Sequence, residues 1–188
     1  MPIGGAMVQS AGRAPAGVAG TGVLAMRQKV YIETTIVSYL TAKPAKDVIT
    51  LAHQKVTREW WRRHRQQYEL YSSQSVLDEA SDGDPTAARK RLDALAELPL
   101  VPASQEAAAL AKNLVAHGLL PKRAAADATH LAMATVGGMD VLLTWNCRHL
   151  ANASMLVQVS RFIRTIGYEA PIVCTPDELM GDPGKLRE

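Results

Sequence analysis

The chain reads as an α/β domain in which a central parallel sheet carries helices on both faces. Three observations predict this. Short β-prone runs (Val30 to Ile32, LLTW within 140–145, and PIVCT) are separated by longer stretches of helical spacing. Strand and helix alternate along the whole chain, with no internal repeat. Two of the runs stop at a polar side chain, Glu33 and Asn146, just where a helical pattern begins, and open α/β folds place their chemistry at such strand ends.

The elements follow in order. KVYIE, residues 29–33, is a buried strand ending in an acid, and Thr34 or Thr35 can cap a short helix to Leu40, stopped at Pro44. Asp47 opens a long helix to about Gln67, with Ile49, Ala52, Val56 and Trp60 on one apolar face. Its basic end (Arg58, Arg62, Arg63, His64, Arg65) suits a helix C-terminus; the alternative is a phosphate-contacting patch beside Trp60 or Trp61. YELYS is a second strand. Ser72 or Ser73 caps the next helix, which closes near Gly83, and Asp84 with Pro85 starts another. PLVPAS is a short strand and turn. Ser104 caps a helix ending at Gly118, and an Ala-rich helix then ends at Gly137 and Gly138. DVLLTW is a strand, NCRHLANASMLVQVSRFIRTIG a helix, PIVCT the last strand and PDELM a last turn.

A chain of 188 residues with 47% apolar and 21% charged residues suits one globular domain. A net charge of +3 permits a nucleic-acid or acidic partner without requiring one. Cys147 and Cys174 form no CxxC pair, so reduced thiols in the cytoplasm are expected. No window approaches the ~18 apolar residues of a membrane span. The expected organisation is a Gly/Ala-rich N-terminal tail over 1–28, a domain over 29–180 and a short tail over 181–188. The first tail is read as disordered, or as an upstream start before Met26. Within it Gly20, Gly22 and Ala25 fit GxGxxA, but no strand precedes them, so no dinucleotide site is expected.

Three carboxylates stand in apolar surroundings: Glu33 at a strand end, Glu79 after Val76 and Leu77, and Asp127 amid alanines. A charge there is costly unless paired or bound to metal. Converging carboxylates without Cys or His are hard oxygen ligands suited to Mg²⁺ or Mn²⁺. Taken singly, Glu79 or Asp127 reads more readily as a salt-bridge partner or a helix surface charge. His130, at i+3 from Asp127, reads as a satisfied core histidine.

The blocks VYIETTIVSYL, SSQSVLDEASDGDPTAARKRL, AAADATHLAMAT, DVLLTWNCRHLANA and PIVCTPDEL, in this order over 29–180, resemble the PIN-domain family, and within it the VapC-like toxins of type II toxin–antitoxin systems. The resemblance implies a three-layer α/β/α domain, a metal-dependent ribonuclease, a homodimer and a cognate antitoxin partner. It places the family's acids on Glu33, Glu79 and Asp127 as ligands of Mg²⁺ or Mn²⁺, its fourth acidic position on Asn146, and its Thr on Thr34. Two departures stand out: the first acid is more usually Asp, and the fourth is an amide here. Three carboxylates suffice for one ion, while the amide leaves a second ion and full nuclease activity open. Thr34, Arg148 and Arg62 are the expected substrate contacts, with the arginines receiving the RNA backbone. The alternatives are a PIN-fold nucleic-acid-binding module with little catalysis, and an RNA-processing nuclease without an antitoxin.

Overall fold

Val30, Tyr31 and Ile32 are fully buried at the centre of the protein, because strand β1 (Lys29–Ile32) has a neighbour on each side. The computed structural model describes residues 26–146, 150 and 153–180. Within them β1 lies between β2 (Glu69–Ser73) and β4 (Val141–Leu143), with β3 (Leu100–Val101) and β5 (Ile172–Cys174) at the edges; every pairing is parallel and the order is β3-β2-β1-β4-β5. Val30 faces Leu70 on one side and Val141 on the other, and Ile32 faces Leu143. The chain winds outward from β1 through β2 to β3, then returns to the other side of β1 for β4. That reversal creates a switch point between β1 and β4, where a crevice opens at the C-terminal strand ends.

The helices are α1 (Thr34–Thr41), α2 (Val48–Arg63), α3 (Gln74–Ser81), α4 (Pro85–Leu95), α5 (Gln105–Ala116), α6 (Ala125–Val136), α7 (Ala153–Thr165) and α8 (Pro176–Leu179). Cap chemistry starts α2, α3, α4 and α5 where the sequence predicts. Asp47 accepts from Thr50 N (2.8 Å), Asp84 from Ala87 N (2.9 Å) and Ser104 from Ala107 N (3.1 Å). The stop after α5 is a left-handed residue, Gly118 at φ +69°. Leu131, Leu142, Leu143 and Ile163 are among the fully buried side chains, each contributing about 1.5–3 kcal/mol by leaving water. None of the described helices is long and apolar enough to cross a membrane.

Three expectations are corrected. The first helix is capped by Glu33, not by Thr34 or Thr35: the Glu33 carboxylate accepts from Thr35 N at 3.0 Å. Helix α2 stops at Arg63, and Arg65–Gln67 forms a separate 3-10 turn. Its inward face is also polar. Ile49 is 67% exposed and Ala52 is exposed, whereas Gln54, Thr57 and Trp60 are buried. The Gln54 amide holds the preceding loop, accepting from Ala45 N and donating to Lys43 O, both at 3.0 Å. The apolar period fails because this face packs on backbone and on an indole nitrogen, which need hydrogen-bonding partners.

Candidate functional site

Four predicted residues reach the crevice. Glu33 follows β1, Asn146 lies just beyond β4, Glu79 comes from the helix after β2, and Asp127 from the first turn of α6. Glu33 is only 4% exposed. Its Oε2 accepts from Thr35 N, from Thr35 Oγ1 and from Thr144 Oγ1 (2.9 Å), so the carboxylate is held rigidly by groups that replace water. Thr34 Oγ1 donates to Glu79 Oε2 in a short contact. The Thr34 hydroxyl, expected as a substrate contact, is here bonded to the second carboxylate.

His130, 1% exposed, carries the link that the spacing did not reveal. Its Nε2 lies 3.1 and 3.2 Å from the two Glu79 oxygens, and its Nδ1 lies 3.0 Å from the Tyr31 hydroxyl. The Tyr31 hydroxyl is in turn 2.6 Å from Ser73 Oγ. A continuous chain therefore runs from the buried Ser73, Tyr31 and His130 to the half-buried Glu79 and Thr34. His130 is satisfied, as a core histidine should be, yet it also borders the site: one ligand atom each of Glu33, Glu79 and His130 lie within 4.8 Å of one another. Its only sequence signal is the i+3 spacing from Asp127. Tyr31 is signalled only as the one hydroxyl in an aliphatic strand.

The electrostatics of the chain are consistent. Burial alone would push the His130 imidazolium down. The Glu79 hydrogen bond and the charges of Glu33, Glu79 and Asp127 outweigh it and hold His130 above the ordinary imidazole value. For Glu79 burial works upward, but the hydrogen bond and charge of His130 and the Thr34 hydroxyl bring it below the usual carboxylate value. Burial holds the Tyr31 phenol well above its normal value, despite the Ser73 contact, so it keeps its proton for donation.

The second pair of residues adjoins this cluster. Asn146 Nδ2 donates to Asp127 Oδ1 at 2.7 Å, and Asn146 N donates to Thr144 Oγ1 (2.9 Å), the hydroxyl that also serves Glu33. Asp127 and His130 share one face of α6. The alanines around Asp127 do not bury it evenly: Ala124 and Ala128 are buried, while Ala125 and Ala126 are exposed.

Arg62 is not brought here. Helix α2 spans 16 residues, about 24 Å, and its C-terminal end sits beside the start of β1: Arg27 Nη1 donates to Gln66 O and Glu69 N to Gln28 O. That is the N-terminal end of the strands, opposite the carboxylates. Arg62 and Arg63 pair with Glu59 at 2.9 and 2.8 Å, Arg58 donates to Leu40 O and Ala42 O, and Arg65 lies over the Trp61 ring. The basic cluster thus serves as a helix end and local bracing, because the crossover carries the chain back to begin β2. Arg148 lies outside the described residues.

Two carboxylates, one imidazole and a neighbouring carboxylate–amide pair form a donor set that fits a divalent cation. The oxygens suit Mg²⁺, and the added nitrogen suits Mn²⁺ at least as well.

No protein-family model matches the chain, and no curated protein matches it by sequence. Among solved structures it is similar to a chain of VapBC2 from Rickettsia felis, crystallised bound to a DNA fragment from their promoter. The match has a TM-score of 0.50 and 14% identity, over 79% of this chain and 98% of that one. The likeness is one of architecture: a PIN-like fold with a five-stranded parallel sheet flanked by helices.

Proposed function

We propose that this protein is a metal-dependent ribonuclease, acting as the toxin of a type II toxin–antitoxin pair. The observation that carries the reading is the meeting of Glu33, Glu79 and His130 within 4.8 Å, beside the Asp127–Asn146 pair, at the switch point of a PIN-like sheet. Glu33, Glu79 and Asp127 would hold Mg²⁺ or Mn²⁺. Such an ion, when bound, supplies positive charge to phosphate oxygens and acidifies water. The chain's own residues do the positioning. Thr35 and Thr144 fix Glu33, while Thr34 and His130 fix Glu79. Asn146 holds Asp127 and orients the attacking water. In-line attack forms the new P–O bond as the P–O3′ bond breaks, leaving a 3′-hydroxyl and a 5′-phosphate. A cognate antitoxin and a second copy of this chain are the expected partners, in the cytoplasm.

The test is cleavage of a mixed RNA by purified protein with Mg²⁺, with Mn²⁺ and with chelator, beside Asp127→Asn. Metal-dependent products that vanish in the variant support the reading. Cleavage retained by Asp127→Asn overturns it. A second reading, a nucleic-acid-binding module with little catalysis, draws support from Asn146, whose amide stands at the fourth position and bonds Asp127. It predicts RNA binding that persists in chelator, with no cleavage at any divalent concentration.

A further inference from the structure

Tyr39, His53 and Trp145 form a half-buried cluster of rings beside the carboxylate crevice. His53 lies flat on Trp145, with centroids 4.0 Å apart and planes at 17°. Tyr39 flanks both, 5.7 Å from His53 and 6.1 Å from Trp145, meeting the indole edge-on at 63°. Two hydrogen bonds fix Trp145: Nε1 donates to Thr57 Oγ1 (2.7 Å) and the backbone N donates to Thr35 Oγ1 (2.9 Å). That Thr35 hydroxyl itself donates to Glu33 Oε2. A single side chain therefore joins the ring cluster to the first carboxylate.

The rings have the marks of a binding surface rather than of core packing. They are half-exposed, and among the described residues neither the Tyr39 hydroxyl nor a His53 ring nitrogen makes a hydrogen bond; neither group is buried, so both stay open to water or to a ligand. The loop that precedes the helix carrying His53 is basic apart from Asp47. Lys43 and Lys46 are exposed on the loop leading into α2, and Gln54, the residue after His53, clamps that loop at Lys43 O and Ala45 N. Aromatic faces with lysines alongside are how proteins grip single-stranded nucleic acid: a base stacks and the neighbouring phosphates meet the charge.

We propose that Tyr39, His53 and Trp145 form a stacking subsite for one nucleobase of single-stranded RNA, with Lys43 and Lys46 meeting the adjoining phosphates. The proposal rests on the ribonuclease reading and adds to it. Because Thr35 ties Trp145 to Glu33, the seated base lies at a fixed offset from the carboxylates, and the subsite helps to set where the strand is cut.

The experiment measures binding of a labelled oligoribonucleotide of about eight nucleotides, within the usual span of a single-strand site, to the full chain in chelator. The same oligomer with abasic sugars serves as the comparison. Tyr39→Ala and His53→Ala are expected to weaken the base-bearing oligomer about tenfold and leave the abasic one within about twofold. His53→Phe, which keeps a ring, should restore binding. Trp145 emission should be quenched by the base-bearing oligomer, and the quench should be absent in Trp145→Phe. Equal loss for both oligomers, or no loss for either, overturns the subsite. Unchanged RNA binding with an altered oligomeric mass in the variants would make the rings a protein contact and overturn it too. Cleavage is scored separately on the unsubstituted protein: cleavage without a base-dependent effect rejects the subsite and keeps the nuclease, and the converse result does the reverse.

Discussion

Asn146 Nδ2 donates to Asp127 Oδ1 at 2.7 Å, so the amide at the fourth position neutralises nothing but satisfies its neighbour. An aspartate at 146 would set two like charges at that distance. Asn146→Asp should lower the melting temperature in chelator by roughly 2–4 °C, a like-charge cost of about 1 kcal/mol in a domain of this size. Added Mn²⁺ should raise it by more than in the parent. Coincident melts of the two proteins, with and without metal, would refute this.

The Glu79–His130 contact makes stability depend on pH in two directions. His130 is held above its ordinary value of 6.5, so its contribution is complete below pH 6.5 and is lost as pH rises through the folded value. Glu79 lies below its ordinary 4.5, so its contribution is complete above pH 4.5 and is lost as pH falls through the folded value. Urea midpoints in chelator should therefore show the pair's full effect between pH 4.5 and 6.5. His130→Gln should flatten that part of the profile; an unchanged profile would remove the pair as its source.

Tyr31 bridges Ser73 Oγ and His130 Nδ1 with one hydroxyl. Tyr31→Phe keeps the ring in the core but deprives both buried partners, at a cost of about 1–3 kcal/mol. Urea unfolding measures it. A loss below about 0.5 kcal/mol would mean that the chain from Ser73 to Glu79 adds little beyond packing.

Gly137 closes α6 against β3. A Cβ there would lie 2.6 Å from Val101 Cγ1 and 2.9 Å from Met133 O, and the backbone carbonyl cannot swing aside as a side chain does. Gly137→Ala should cost about 1–3 kcal/mol through overpacking, despite the better helix propensity of alanine. A neutral or stabilising result in urea would show that the β3 edge yields.

Cys174 is 7% exposed, and burial, helped by the charges of Glu178 and Asp177, pushes its thiol up to about 12. The thiolate is the reactive form, so Cys174 should resist iodoacetamide in the native protein and react promptly in urea. Mass spectrometry of the tryptic peptide distinguishes the two; rapid native labelling of Cys174 would contradict this burial.

The sequence by itself determined the order and kind of the elements, the caps at Asp47, Asp84 and Ser104, the stop at Gly118, and the polar residues that end β1 and follow β4. Each signal acts within a few residues: a 3.6-residue period, a side chain reaching its own helix, a glycine that tolerates positive φ. It missed Glu33 as a cap, since a glutamate that serves both a helix and a site gives no local sign of doing so. Only the tertiary structure decided what meets what. Glu79 and His130 are 51 residues apart, Tyr31 and His130 99, and Thr144 and Glu33 111; they meet because β1 takes β2 on one side and β4 on the other. The same winding sends the end of α2, with Arg62, to the N-terminal end of the strands and turns that helix's polar face inward on Trp145. Strand order is a property of the whole core, and no window of sequence contains it.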